Sequence, residues 1–242
     1  MGIFSSDFWD GFYEQNGENW FREQKQNNPQ MYGGHRDSRI DEQMIRKNLE
    51  TEGGYQAKIS GDTGELKLSS VLNSLPDYYH IMDDVLLQTK KVSTQLDHVI
   101  VSPFGIFVIE TKNHKGMIFG DCFGRVWTQV LNGTGHFKMY SPVLQNQGHM
   151  QHLSKQTKIP MQFMQGVIVF TNNDANLMNV NCPFCFNVDQ LYSYIMQFNN
   201  ILFNEKQVEA IIKRIDKVDT NNYMNRRKHI NYVNSMKNKR GY

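Results

Sequence analysis

Two short apolar runs, residues 96–101 and 106–109, flank the four-residue segment 102–105, which reads Ser-Pro-Phe-Gly. Proline at the second position of a turn and glycine at the fourth are typical of a type I turn, so the pattern predicts a β-hairpin. Side chains alternate between the two faces of a strand, which puts Asp97 and Glu110 on the same face. With a loop of two or four residues these carboxylates lie directly opposite each other, whereas a loop of three would break this register.

Helices are predicted where apolar residues recur every three or four positions, and short alternating or apolar runs between turn residues predict strands. The two kinds of segment alternate, which favours an α/β fold with a mixed central sheet and flanking helices. Asp189 is expected to cap one helix, and Asn204 with Gln207 has capping-box spacing. The predicted helices are residues 62–75, one opening at Ser141-Pro142, 189–198 and 204–215; the predicted strands are 78–88, the hairpin, a pair within 115–127, 166–171 and 184–188.

Residues 1–57 carry no recognisable chemistry and are expected to form an accessory extension. Aromatic side chains recur there at helical spacing with acidic residues between them, over residues 4–14. Such a stripe packs on its own domain, on a protein partner or on a second copy of the chain, and its acidic face disfavours anionic membranes. A polar linker (24–36) and a second short helix (40–49) follow. The predicted parts are therefore 1–57, 58–200 and 201–242.

Composition narrows the class of protein. A hydrophobic content of 39% and a charged content of 21% over 242 residues are ordinary for a soluble globular protein with a substantial core, and the net charge of +2 is nearly neutral. No apolar run approaches the roughly 20 residues of a membrane helix, and the N-terminus lacks the pattern of a secretory signal. Three cysteines, an odd number, argue against a disulfide framework. We therefore expect a cytoplasmic protein without membrane contact.

The predicted hairpin carries the candidate chemistry. Two facing carboxylates are destabilising unless something compensates their charge. Lys112 follows Glu110 by two residues and shares its face of the strand. Asp97, Glu110 and Lys112 thus outline a hydrolytic site in which the carboxylates bind Mg²⁺ or Mn²⁺ and the lysine stabilises charge on a phosphoryl group. The alternative is a surface hairpin on which both acids are solvated and Lys112 pairs with one of them.

These residues resemble the nuclease-related domain (NERD) branch of the PD-(D/E)xK nucleases. The resemblance covers about residues 58–200, and Leu96 and Ser141 stand where its pattern has isoleucine and asparagine. It implies a restriction-endonuclease-like fold, dependence on Mg²⁺ or Mn²⁺, and hydrolysis of nucleic acid, with DNA expected rather than RNA, in DNA processing or defence against foreign DNA. The matching motifs are Gly64-Glu65, Gln95-Leu96-Asp97-His98, residues 105–113, Gly116, Gly120, Trp127, Ser141-Pro142, Gln145-Asn146 and His149.

Two further side chains are candidates for the site. Glu65 has capping-box spacing with Asp62, but it also lies three residues before Leu68, along the helix face expected to meet the sheet. The resemblance places an acidic group here beside the metal, and we favour that role. Gln145 could hydrogen-bond the attacking water or the scissile phosphate, as the matching position in related nucleases does, or be a solvated helix residue. His149, farther along the same helix, is interpreted as a helix or phosphate-contacting residue.

The C-terminal segment beyond Asp219 is basic, with three tyrosines and no acidic residue. Such a segment can contact phosphates and stack on bases, but basic ends are also common solubilising tails, and the sequence leaves both interpretations open. The candidate nucleic-acid-binding residues are Arg226, Arg227, Lys228, Lys237, Lys239 and Arg240.

The remaining motifs are interpreted as structural. Cys182-Pro183-Phe184-Cys185 has the spacing of a zinc or redox motif, but only Cys122 remains as a further cysteine, far upstream, so packing is expected. Trp127 is expected to be core rather than a base-stacking platform, and Asp83-Asp84 a turn or a solvated edge. The leading prediction is a nuclease, and the alternative is a non-catalytic nucleic-acid-binding module on the same fold. All three residues of the triad are present, which favours the enzyme.

Overall fold

The computed structural model describes residues 59–89, 93–131 and 135–240, so the predictions for the N-terminal extension lie outside the described residues. A 3₁₀ turn, Met161–Phe163, lies directly before the strand that begins at Met164. The elements are, in chain order, α1 (Ile59–Asn73), β1 (His80–Gln88), β2 (Ser93–Ser102), β3 (Gly105–Lys112), β4 (Gly116–Asp121), β5 (Val126–Leu131), β6 (Gly135–Tyr140), α2 (Pro142–Thr157), β7 (Met164–Phe170), β8 (Ala175–Asn181), β9 (Cys185–Asn187), α3 (Val188–Ile195), α4 (Glu205–Val218) and α5 (Tyr223–Arg240).

The described strands form two sheets. The first has the order β1-β2-β3-β7-β9, with antiparallel pairing among β1, β2 and β3 and parallel pairing from β3 through β7 to β9. The second has the order β6-β5-β4-β8 and is antiparallel except for the pair of β4 and β8. Two mixed sheets flanked by helices confirm the predicted α/β class.

Helices cover both faces of the first sheet, because its central strands are apolar on both sides. Phe107 and Ile109 of β3 belong to a core that includes α1 and α3, whereas Ile106 and Val108 belong to a second core with α2 and α4. The even-numbered residues of β3 therefore face α2. Glu110 continues this row, so the alternation along one strand decides which helix the candidate site meets.

The central hairpin forms as predicted. Pro103 and Phe104 make a two-residue loop, and the backbone pairs run from Ser102 with Gly105 to His98 with Ile109. Gly105 has a φ of +136°, which L side chains rarely adopt, so glycine suits this end of the turn. This register is the one expected for a two-residue loop.

The second sheet begins where two central strands of the first sheet end. β3 leads into β4 through residues 113–115, and β7 leads into β8 through residues 171–174. The Thr171 N–H donates to the Lys112 carbonyl oxygen at 3.0 Å, so the two central strands stay paired up to this point. The second sheet is therefore attached directly beside the end of β3 that carries Lys112.

The structure corrects several boundaries. The sequence predicts neither β6 nor β8, because both are edge strands with mostly exposed side chains and no clear apolar alternation. Val188, predicted as a strand residue, begins α3; Asn187 takes the N-cap position, so Asp189 lies in the first turn and does not cap the helix. α1 begins at Ile59, which places Asp62 inside the helix and excludes the capping box with Glu65.

Other predictions are confirmed. Trp127 is fully buried and lies parallel to Phe170, with 6.4 Å between ring centroids. Cys122, Cys182 and Cys185 are all buried and free. A hydrogen bond with Cys182, together with burial, raises the pKa of Cys122, so this thiol stays protonated. The fold thus packs Cys122 beside Cys182 despite their separation in sequence.

The hydropathy of the helices bears on membrane contact. None of the helices in the described ranges is both long enough and apolar enough to cross a membrane.

Candidate functional site

Glu110 is the centre of the candidate site. Its side chain is buried, with 2% of the residue exposed, because β3 is covered by α2 on this face. Lys112 Nζ contacts Glu110 Oε1, and His149 Nδ1 of α2 lies 3.1 Å from Glu110 Oε2. Both carboxylate oxygens therefore have a basic group beside them.

These neighbours set the charge of the buried carboxyl. Burial by itself raises the pKa of Glu110, but His149 and Lys112 outweigh that effect and bring the pKa below the ordinary value. Glu110 is thus ionised at neutral pH although it is almost inaccessible to solvent. An ionised carboxylate is the form that a cation binds.

Asp97, on the neighbouring strand β2, is held by the backbone and side chain of β3. Its Oδ2 accepts hydrogen bonds from Thr111 N and Thr111 Oγ1, both at 2.8 Å. Burial and the nearby Glu110 charge raise the pKa of Asp97 despite these bonds. The charge of Glu110 therefore acts on Asp97, but the backbone pairs of β2 with β3 begin at His98 with Ile109 and do not include the predicted pair of Asp97 with Glu110.

Lys112 and Gln145 join the sheet to α2. Lys112 Nζ donates to Gln145 Oε1 at 3.2 Å, so Gln145 is partnered within the site and is not simply a solvated helix residue. Asn146 fixes the helix, because its Nδ2 donates to the Val108 carbonyl oxygen at 2.8 Å and to that of Val167 at 3.2 Å. These bonds tie one turn of α2 to both central strands, which positions Gln145 over the end of β3.

Glu65 lies at the margin of the site. The sequence predicts that it points along the buried face of its helix, but the residue is exposed at the surface of α1. Partial desolvation raises its pKa, His98 opposes the shift, and Asp97 and Asp84 add to it. Glu65 is therefore close enough to Asp97 to sense its charge, on the solvent side of the site.

Two interactions of the site were not anticipated from sequence. The role of His149 as the second partner of Glu110 could have been found from its spacing, since it lies one helical turn after Gln145 and shares that helix face. Arg226 Nη2 of α5 pairs with Asp84 at 2.5 Å, and Asp84 has a positive φ of +57°. Asp83 and Asp84 lie on β1, the edge strand of the first sheet, with exposed side chains as the solvated-edge interpretation expects, and the pairing of Asp84 with Arg226 is the part that the sequence does not predict.

The basic C-terminal segment is a helix that is anchored to the first sheet. Asp219 Oδ1 accepts from Leu86 N at 2.9 Å, and Thr220 Oγ1 donates to the Leu86 carbonyl oxygen at 2.8 Å. Arg227 and Lys228 are exposed at the start of α5. The side chains of the remaining predicted contacts lie outside the described part of the structure: Lys237, Lys239 and Arg240.

The donor set can be compared with the needs of Mg²⁺ or Mn²⁺. Among the described residues, no three His, Cys, Asp or Glu side chains are grouped as a metal site. Mg²⁺ can be held by one or two carboxylates together with waters and substrate phosphate. Glu110 Oε2 is buried and lies 3.1 Å from His149 Nδ1, and Thr111 engages only one oxygen of Asp97. Two carboxylates on neighbouring strands, one of them with an oxygen that Thr111 does not engage, fit such an ion, with Glu65 as an outer contributor.

Comparisons with known proteins agree with the motifs. Residues 60–171 match the family model described as the nuclease-related domain, over the stretch that contains every acidic candidate, Lys112 and Gln145. The chain is also similar to a protein of Bacillus anthracis described as uncharacterized, with 33% identity over 97 residues. That similarity covers 39% of this chain, and the chain spans 45% of the length of the relative. No solved structure matches the chain.

Proposed function

We propose, because residues 60–171 are a nuclease-related domain, that this protein is a divalent-metal-dependent nuclease that hydrolyses phosphodiester bonds of nucleic acid, with DNA as the expected substrate. The observation that carries the proposal is the contact of Lys112 with both buried Glu110 and Gln145, beside Asp97. A surface hairpin would leave these side chains solvated, whereas here two strands and a helix hold them in one place.

Each side chain has a chemical role in this proposal. Asp97 and Glu110 would hold Mg²⁺ or Mn²⁺, with support from Glu65. When bound, such an ion lowers the pKa of water and neutralises charge on the phosphoryl oxygens. Lys112 places a fixed positive charge where negative charge develops on phosphorus-bound oxygens. Gln145, held by Lys112, orients the attacking water or the scissile phosphate through its amide.

The basic residues of α5 support nucleic acid as the substrate. Arg227 and Lys228 are exposed, and their helix is anchored to β1, the strand next to the one that carries Asp97. Basic side chains in such a position neutralise backbone phosphates without reading sequence. A nucleic-acid strand whose scissile phosphate lies at Lys112 would continue past the edge of the first sheet that β1 forms.

A second candidate function is a nucleic-acid-binding module that does not cleave. The observation in its favour is that Lys112 and His149 already lie against the two carboxylate oxygens of Glu110. A carboxylate that is partnered by side chains of its own protein can persist without an ion, so the geometry is compatible with binding alone. The two candidates differ in turnover.

Cleavage assays separate them. Purified protein is incubated with supercoiled plasmid, linear duplex DNA, single-stranded DNA and RNA, each with Mg²⁺, with Mn²⁺ or with excess chelator. The nuclease requires cleavage with an ion, none in chelator, and none from Asp97→Asn. Asp83→Asn is the matched control, because Asp83 is an exposed acid on the adjacent strand and its carboxylate pairs with His98 at 2.7 Å. Undiminished cleavage in chelator would reject the mechanism, and binding without cleavage of any substrate would favour the module.

A further inference from the structure

The outer face of the second sheet is apolar and partly aromatic, yet it is exposed. The backbone pairs align three cross-strand rows: Met117, Val130 and His136; Phe119, Thr128 and Lys138; and Val126 with Tyr140. Tyr140 is 52% exposed and Phe119 is 37% exposed, while Trp127 on the opposite face is fully buried. We define the outer face by Met117, Phe119, Val126, Tyr140, His136 and Lys138.

Basic side chains lie beside the rings of this face. Lys138 and His136 lie on it beside the aromatic rows. The acidic side chain of strands β4 to β6 is Asp121, which shares the face of Met117 and Phe119 by alternation along β4; its Oδ1 accepts from Phe123 N at 2.8 Å and Gly124 N at 2.6 Å in the turn that follows. Exposed rings interleaved with basic side chains are the arrangement on which unpaired bases stack while their phosphates meet cations.

The location of the sheet connects it to the candidate site. β4 follows Lys112 after only residues 113–115, and β8 follows Thr171, whose N–H is bonded to the Lys112 carbonyl oxygen. With strands about 4.8 Å apart and residues about 3.3 Å apart, Phe119 and Tyr140 are separated by roughly 12 Å. The second sheet thus begins within four residues of Lys112.

We propose that the outer face of the second sheet binds single-stranded nucleic acid, with bases stacked on Phe119 and Tyr140 and phosphates beside Lys138 and His136. This inference rests on the proposed function for the identity of the ligand, and it specifies an unpaired strand as the form that the protein grips beside its site. A duplex hides its ring faces within the stack and would not use these side chains.

Binding is measured without cleavage, so that this proposal and the nuclease proposal can fail separately. The full chain is titrated in excess chelator with fluorescently labelled poly-dT, and with a duplex that has no single-stranded end. Phe119→Ala and Tyr140→Ala should each weaken poly-dT binding on the order of tenfold, the usual effect of losing one stacked base. Affinity for the duplex should change little.

Phe137→Ala is the matched control. Phe137 lies between His136 and Lys138 on the same strand and is 47% exposed, but its backbone partner is Gln129, which puts it on the opposite face. The control should bind poly-dT as the parent does. Equal affinity of the parent, Phe119→Ala and Tyr140→Ala would overturn the proposal, whether or not the protein cleaves DNA with Mg²⁺ present.

Thermal melting and crosslinking remove the remaining ambiguity. If another part of the chain covers this face, Phe119→Ala and Tyr140→Ala will lower the melting temperature of the free protein and leave poly-dT binding unchanged, which overturns the proposal. A variant that fails to fold is replaced by a crosslinking test on the unaltered chain with oligonucleotides containing 5-iododeoxyuridine. Adducts on Tyr140 or Phe119 support the proposal; adducts on Phe137 with none on those two rings overturn it.

Discussion

Lys112→Met removes an ammonium group from a buried carboxylate and keeps an unbranched apolar stem on β3. Glu110 is paired with Lys112 through one oxygen and with His149 through the other. Removing one partner of a buried pair typically costs about 3–5 kcal/mol, because the remaining charge stays buried without compensation. Since His149 remains beside Glu110, we expect a loss at the lower end, about 3 kcal/mol at neutral pH.

The loss should depend on pH in a defined direction. The pKa of Glu110 is lowered in the folded protein, so the pair contributes its full stability above the ordinary glutamate value of about 4.3 and loses it as pH falls through the lowered pKa. The deficit of Lys112→Met should therefore be complete at pH 7 and shrink at more acidic pH. Adding Glu110→Gln to Lys112→Met should recover about 1 kcal/mol or more at pH 7, since it removes the unpaired charge.

Urea unfolding in excess chelator measures both effects, with turnover measured separately on DNA and Mg²⁺. Turnover of Lys112→Met should fall about 10²–10³-fold, as when one charge-stabilising donor is lost. Lys213→Met is the matched control, because Lys213 pairs with Glu209 at 3.5 Å on an exposed helix surface and should contribute little. If Lys112→Met unfolds with the parent at pH 7, or if its deficit does not change with pH, the ion pair does not hold Glu110 as argued.

Three further predictions follow from other contacts. Asp97→Asn should leave the metal-free protein as stable as the parent or more stable, because burial and Glu110 raise the pKa of Asp97 and its ionised form opposes folding increasingly above about pH 3.9; a urea-unfolding deficit at pH 7 would contradict this. Arg227→Gln with Lys228→Gln should lower the slope of log affinity for DNA against log salt by about two, and an unchanged slope would leave α5 as a solubilising end. Gly64→Ala should lower the free energy of unfolding by about 1–3 kcal/mol and therefore the melting temperature, because the new Cβ would lie 2.1 Å from the Thr171 carbonyl oxygen. Gly148→Ala, whose Cβ would meet nothing within 4 Å, should instead stabilise α2, and equal melting of the two variants would refute the packing argument.

The sequence predicts best what depends on neighbouring residues. The Ser-Pro-Phe-Gly turn sets the hairpin, and period-two alternation then places Glu110 and Lys112 on one face. It also identifies α2 from its cap and periodicity, and Ser141 Oγ accepts from Leu144 N as a cap should. These local rules, together with the family motifs, suffice for the class of fold and for most of the candidate site.

What depends on packing between distant segments was not predictable. His149 meets Glu110 because Asn146 bonds α2 to β3 and β7 and because Met150 and Leu153 of the same helix pack in the second core. The position of Cys122 beside Cys182 depends on the parallel pairing of β4 with β8, an edge strand with almost no apolar signal. Glu65 is exposed because the orientation of α1 is set by its packing against the sheet and by the close approach at Gly64, which helical periodicity alone does not give.

The parallel pairing of β3 with β7 also determines the order in which the site can assemble. The hairpin is local in sequence and can form as soon as β3 has left the ribosome, which brings Asp97 and Glu110 together early. β7 follows β4, β5, β6 and the whole of α2, and α2 is bonded to both β3 and β7 through Asn146, so Gln145 and His149 reach their final positions only after β7 is made. A nascent or truncated chain would therefore display the acidic pair and Lys112 without the amide and histidine neighbours in place. Any hydrolytic capacity of this protein would accordingly appear late in synthesis and all at once.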